Sequence, residues 1–242
     1  LQEKFKATEY LSRSFIVNGI TESALATQLA EFELQLPKGF SLAYLPSLGY
    51  IRLRLSVWGV VHQPEIKQQA LKLKKLLGPN FVSKGEKMPE EILGEKLRKK
   101  NLTVSTAESC TGGFISHKIT VVPGSSDYYQ GSIISYNNLI KEELIEVDYK
   151  TIESKGVVSR EVVEQMALTV AKKLHTNCSI AVSGIMGPDG GTKNQPVGTV
   201  WIATLHNSEV VAREYNVGRS RRENIERTAN TAIFQLLKML RS

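Results

Sequence analysis

The residues best equipped for chemistry lie in one stretch, Val104-Ser105-Thr106-Ala107-Glu108-Ser109-Cys110-Thr111-Gly112-Gly113. A β-prone run from Leu102 to Ser105 leads into small hydroxyl and thiol side chains. Two glycines and an apolar, helix-like segment (Phe114, Ile115, Ile119) follow. Strand, tight turn and helix together would present a nucleophile beside unpaired N–H groups, which can hold an oxyanion or a phosphate. Gly112 and Gly113 allow a ligand to approach the backbone closely. An ordinary strand-to-helix loop with a Ser/Thr cap accounts for these ten residues equally well.

A nucleophile at Ser109 or Cys110 needs a base. Of the four histidines, His62 lies in an earlier unit, His175 ends a helix and His206 falls in a hairpin turn. His117 follows the nucleophile turn on what reads as a surface position. No G-x-S-x-G elbow with a downstream Asp and His is present. A lysine can replace histidine when burial lowers its pKa. Lys141 is the candidate: it lies five residues after Tyr136, in a helix capped by Asn137-Asn138. Spacing alone favours a solvated lysine and a core tyrosine over a catalytic pair.

The elements that must position these groups fall into two sets. Residues 1–16 read as a helix-prone segment ending near Ser14–Val17. Thr21 then caps a helix carrying Ala24, Leu25, Leu29 and Phe32. Two β-prone runs follow, Phe40–Leu45 and Tyr50–Trp58, the second alternating Ile51, Leu53, Leu55 and Val57 with polar or aromatic residues. Pro64 opens a helix through Leu77. Residues 1–86 therefore read as a small α+β unit, roughly β-α-β-β-α, with Ser83–Lys87 as a linker. From Pro89 onward strands and helices alternate. Gly131–Tyr136 is strand-like and Asn137-Asn138 begins a helix to about Val147. Ser159 caps a helix with a core-facing stripe, Ser179–Ser183 is a buried strand, and Val197–Leu205 with Glu209–Tyr215 forms a hairpin. Ser220 and Glu223 make a capping box for the last helix. Residues 87–242 are expected to form an α/β domain of three layers, α/β/α, on a parallel or mixed sheet. Its site would lie beyond the strand C-termini, where the Ser109 loop, Tyr136 and the glycine-rich loop 184–191 meet.

Composition narrows the function classes. The net charge of +7 is spread over both halves, at spacings typical of solvated helix faces. An anionic substrate is permitted by it and not specified. Cys110 and Cys178 are the only cysteines, too few for a disulfide scaffold and consistent with a reducing cytoplasm. No metal-binding spacing occurs, the glycines do not fit G-x-G-x-x-G, and no apolar run is long enough for a membrane helix. No metal and no cofactor are therefore expected. The chain begins at Leu1 rather than Met, as a fragment of a longer protein would.

Four motifs in order carry a family resemblance: TAESCTGG at 106–113, GSxxSYxNxxK across Gly131–Lys141, SGIxGPDGG across Ser183–Gly191, and PVGTVW at 196–201. Over about residues 88–242 the chain resembles the C-terminal amidohydrolase domain of the CinA (competence/damage-inducible) family. That domain deamidates nicotinamide mononucleotide in the pyridine nucleotide cycle of NAD metabolism. Residues 1–85 resemble, more weakly, the KH-type middle domain of longer CinA proteins, whose N-terminal pyrophosphatase domain has no counterpart here. The resemblance implies Ser109 as nucleophile, with Tyr136 and Lys141 handling protons, and Cys110 as a packing or oxyanion-loop residue. Amides at Cys110, Thr111, Gly112 and Gly113 would hold the oxyanion. Thr111, Gly112, Ser125, Ser126, Arg219 and Arg222 are phosphate candidates, and Gly184 and Gly187 would shape a pocket wall. It further implies a nicotinamide mononucleotide or related pyridine nucleotide as partner, and a homodimer. The alternative is an RNA-binding or regulatory module without catalysis. Against it, glycines at 19, 39, 49, 59, 78 and 85 never make the GxxG loop of a KH clamp.

Overall fold

The structure, a computed structural model, describes residues 10–59 and 63–241. The chain divides into two compact units, Leu1–Lys87 and Met88–Ser242. His62 and the expected helix over residues 1–9 lie outside the described residues.

Unit 1 contains β1 (Tyr10–Val17), α1 (Glu22–Leu34), β2 (Phe40–Ser47), β3 (Tyr50–Trp58), α2 (Gln63–Leu77) and β4 (Phe81–Lys84). Its antiparallel sheet has the order β2-β3-β1-β4. The helix expected to reach residue 16 is corrected here, because Tyr10–Val17 is a strand. Leu11, Phe15 and Val17 alternate toward the core shared with Leu53, Leu55, Leu25, Leu29, Ile66 and Leu73, and period two suits a strand rather than a helix. The expected linker is also shorter, since Ser83 and Lys84 pair with Ile16 and Phe15 in β4.

Unit 2 runs α3 (Pro89–Lys100), β5 (Val104–Glu108), α4 (Phe114–Thr120), β6 (Tyr129–Ile134), α5 (Asn138–Glu143), α6 (Tyr149–Lys155), α7 (Arg160–Lys173), β7 (Cys178–Gly184), β8 (Thr199–His206), β9 (Glu209–Asn216) and α8 (Arg221–Met239). The sheet order is β6-β5-β7-β8-β9, with β6, β5 and β7 parallel and β8 and β9 antiparallel. Ala107, Ala181, Ala203 and Ala212 form a smooth face on which α7 lays Val162, Val163, Met166, Ala167 and Val170. The opposite face carries α8, whose Gln235 Nε2 donates to Ile202 O, Val211 O and Thr204 Oγ1. Small alanines let α7 approach closely, and the result is the α/β/α sandwich expected from the alternating pattern.

Three boundaries moved. The strand expected over Gly131–Tyr136 is Tyr129–Ile134, so Tyr136 stands on the loop beyond it. Helix α5 stops at Glu143 rather than near Val147: Glu146 takes a left-handed φ of 56°, and Val147 N–H closes the end on Lys141 O at 2.9 Å. His206 closes β8 opposite Glu209 and is buried, not placed in the turn.

Candidate active site

Strand β5 lies second from one edge of the sheet, with β6 on one side and β7 on the other, so the C-terminal end of β5 opens at a topological switch point. Ser109 follows β5 directly. Its N–H donates to Val182 O at 3.1 Å, and Ser135 N–H donates to Glu108 O at 2.8 Å. These bonds extend the sheet by one step on each side and fix where the serine emerges.

The turn is organised by Glu108, a carboxylate with no exposure. Its Oε2 accepts from Thr111 Oγ1 at 2.7 Å, and from the N–H groups of Gly113 and Ile115 at 3.0 Å each. Its Oε1 accepts from Ser116 N–H and Ser116 Oγ, both at 2.8 Å, and from Thr106 Oγ1 at 3.3 Å. A buried carboxylate is tolerable only when its lone pairs are filled this completely. The glycines are needed for conformation: Gly112 and Gly113 have φ of 59° and 95°, and a Cβ on Gly113 would meet Ile134 Cδ1 at 3.0 Å.

This arrangement narrows the oxyanion assignment. Gly113 N–H is committed to Glu108, and Gly112 N–H to Ser109 O at 3.1 Å. The N–H groups of Cys110 and Thr111 have no oxygen acceptor among the described residues, and the Cys110 backbone meets only its own sulfur.

Ser109, Cys110, Tyr136, Lys141, Ser183, Gly184, Met186 and Arg221 line one cavity of about 190 Å³, with Asn138, Val157 and Val158 completing its wall. Lys141 is only 2% exposed and has no carboxylate partner among the described residues. Its Nζ donates to Ser135 O at 2.7 Å and more weakly to Tyr136 O at 3.4 Å. Burial holds its pKa below the ordinary lysine value, against a smaller opposing pull from the Cys110 sulfur. Burial also pushes the Cys110 thiol up to about 12, so it stays protonated at neutral pH and is a poor nucleophile.

Arg221 was not singled out from the sequence, where Arg219 and Arg222 were. Its Nη1 donates to Gly187 O at 2.7 Å and its Nη2 to Tyr136 Oη at 3.0 Å, which ties the glycine-rich loop to the tyrosine. Arg219 is held by its backbone instead: its N–H donates to Asn224 Oδ1 at 2.7 Å and its carbonyl accepts from Asn224 Nδ2 at 2.9 Å. The buried Asn224 also donates to Met186 O, clamping the loop onto the start of α8. Arg222 lines a neighbouring cavity of about 460 Å³ with Phe114, Ile225 and Glu226, and Arg221 borders both cavities. Gly187, with φ of 81°, packs so tightly on Val197 that a Cβ would sit 2.6 Å from Cγ1.

Two candidates are corrected. Ser125 and Ser126 sit in the 3-10 turn that precedes β6. Since β5 and β6 are parallel, with Val104 opposite Tyr129 and Glu108 opposite Ile134, that turn lies where β5 begins. Ser109 lies a strand length away, about 16 Å at ~3.3 Å per residue. These serines cannot share a ligand phosphate with the Ser109 turn. His117 is exposed on α4, as its spacing indicated.

A serine at a strand-to-helix turn, with a buried lysine in the same cavity of an α/β/α sandwich, defines the class of domain. Residues 86–240 match the CinA C-terminal domain, and the chain belongs to the CinA family. A CinA-like protein of Cytophaga hutchinsonii is 38% identical over 98% of the chain, and one of Flavobacterium psychrophilum is 40% identical over 97%. The chain spans 57% of the length of each of these relatives. Among solved structures, the competence/damage inducible protein CihA of Agrobacterium tumefaciens aligns with a TM-score of 0.60 at 34% identity. That alignment covers 64% of this chain and 98% of the other.

Proposed function

We propose that unit 2 is a serine amidohydrolase that removes the carboxamide nitrogen of nicotinamide mononucleotide, or a close pyridine nucleotide, giving the nicotinate nucleotide and ammonia. The observation that carries this reading is Lys141: a buried amine with no counter-ion among the described residues, in the cavity that also receives Ser109. A neutral amine has two N–H donors and one lone pair. The carbonyls of Ser135 and Tyr136 can take both donors, and the lone pair remains for the Ser109 proton.

Ser109 Oγ then attacks the carboxamide carbon as its proton passes to Lys141, directly or through the Tyr136 hydroxyl. The N–H groups of Cys110 and Thr111 receive the oxyanion. The protonated lysine returns its proton to the departing ammonia, and water hydrolyses the nicotinoyl ester by the same relay. The pyridinium ring withdraws electrons and makes its carboxamide easier to attack. Arg221 and Arg222 flank the neighbouring cavity at the start of α8, where cations and helix N–H groups suit a phosphate.

The test is ammonia release from nicotinamide mononucleotide by this chain beside its Ser109→Ala variant. The expected outcome is release by the parent and a loss of at least about 10³-fold in the variant, equivalent to ~4 kcal/mol of barrier. Equal rates in the two proteins would remove Ser109 from the mechanism.

A further inference from the structure

A cavity of about 560 Å³ lies in unit 1 and takes no part in the proposed reaction. Its lining has an informative parity. Ser12 and Ser14 belong to one face of β1, and Arg13 and Phe15 to the other. One cavity can touch both sets only where it meets the strand's edge. That edge is open because β4 is short: pairing with β1 covers only Phe15, Ile16 and Val17, with Gly85 N–H reaching Ser14 O at 2.8 Å as the last rung. In an antiparallel ladder every second residue turns both its N–H and its C=O to the same neighbour. Ser14 faces the β4 side, so Ser12 does too, and there the ladder has no further strand among the described residues.

Helix α2 supplies the opposite wall. Where β4 exists, Lys74 lies over the Phe81 ring at 5.0 Å. One turn earlier along α2, Ala70, Leu71 and Lys67 border the cavity instead. The cavity thus occupies the place that a longer β4 would fill. Its apolar lining is Phe15, Ala70 and Leu71: the first two are buried, and Leu71, 62% exposed, is the one open to a ligand. Its rim carries three cations, Arg13, Lys67 and Lys84, against one carboxylate, Glu86, which already accepts from Ser14 Oγ at 3.0 Å.

We propose that this groove binds an extended acidic peptide segment of a partner protein, which adds to β1 as a continuation of β4. Its backbone pairs with Ser12, an apolar side chain sits on Leu71, and flanking carboxylates meet Arg13, Lys67 and Lys84. The guanidinium of Arg13, which donates to Ser12 O at 2.8 Å and to Gln63 Oε1 at 3.0 Å, moves aside onto a carboxylate. Charge complementarity selects this occupant, since the rim has a cationic excess and the chain itself carries +7.

The test is a fluorescence-anisotropy titration of the whole chain with labelled acetyl-Glu-Val-Glu-Val-Glu-amide and its Lys-for-Glu counterpart. Saturable binding of the acidic peptide, at least tenfold tighter than the basic one, is expected. Ser12→Pro removes only the outward N–H, because Leu11 and Arg13 carry the bonds to β3, and is expected to weaken binding at least tenfold. Leu71→Asp, on the outer surface of α2, is expected to do the same. Circular dichroism verifies that both variants fold. Equal binding of the two peptides, or no effect of either substitution, would overturn the proposal. So would sedimentation showing that the chain dimerises through this edge, with the dimer lost in Ser12→Pro.

Discussion

At the scale of single residues, the site depends on two buried ionisable groups handled in opposite ways. Glu108 is surrounded by donors and organises the turn, whereas Lys141 meets carbonyls and, among the described residues, no carboxylate. The second arrangement lowers stability and, in the proposed reaction, would supply a base. Because the folded pKa of Lys141 is depressed, the folded chain binds fewer protons than the unfolded one between that value and the unfolded value of about 10.4. The cost of burying the lysine is therefore fully present below the folded pKa and fades as pH rises through that window. Lys141→Met should raise the melting temperature at neutral pH while lowering amidase activity by at least about 10³-fold. In the parent, kcat/KM should rise with pH along a limb below the ordinary lysine range. A limb at the unperturbed lysine pKa would exclude Lys141 as the base. Cys110→Ala should retain activity within about tenfold, since a thiol with a pKa of about 12 contributes little thiolate and the backbone N–H survives the change. Loss of ammonia release in that variant would move the nucleophile to the cysteine.

At the scale of elements, the cavity exists because loops are tied to rigid neighbours. Beyond Gly184 the loop carries no regular structure; Ile185 anchors its start, its N–H donating to Thr199 O and its carbonyl accepting from Gly198 N–H, and two side-chain ties hold it further on, Arg221 to Gly187 O and Asn224 to Met186 O. Asn224 is completely buried and uses both ends of its amide. Asn224→Ala should cost about 1–3 kcal/mol in denaturant unfolding, the usual range when a buried partner is deleted. The same change should lower kcat/KM, because Arg221 and the loop lose their common register. An unchanged unfolding midpoint would show that the loop is held by other contacts.

At the scale of the whole molecule, the two units carry separate properties. Each has its own hydrophobic core, and every residue lining the Ser109 cavity belongs to unit 2. Residues 88–242 expressed alone should fold and keep kcat/KM within about threefold of the full chain, as expected of a domain with its own core. The solved relative CihA supports this, since nearly all of that chain aligns with 64% of this one. A large loss on truncation, measured by ammonia release, would make unit 1 part of the enzyme. Among the described residues no helix is long and apolar enough to cross a membrane.

Much of this was legible in the residues themselves. Caps at Thr21, Asn137, Ser159 and Ser220, helix starts near Pro64 and Pro89, and the alternation of β3 follow local rules that act within a few residues. The strand-turn-helix around Ser109 was visible for the same reason, as was the short spacing that leaves Tyr136 and Lys141 on the wall of one cavity. Tertiary structure decided what depends on partners far along the chain. Tyr10–Val17 became a strand because β3 and β4 flank it. The turn at Ser125 and Ser126 was carried to the wrong edge of the sheet by parallel pairing. Arg221 rather than Arg222 reaches the cavity because successive helical residues point about 100° apart and α8 is fixed by packing on β8, whereas Arg219 precedes the helix. Sequence determines which chemical groups are present and how the backbone near them turns. Only the packed sheet determines which of those groups share a cavity, how far each is removed from water, and so which lysine is driven toward its neutral form.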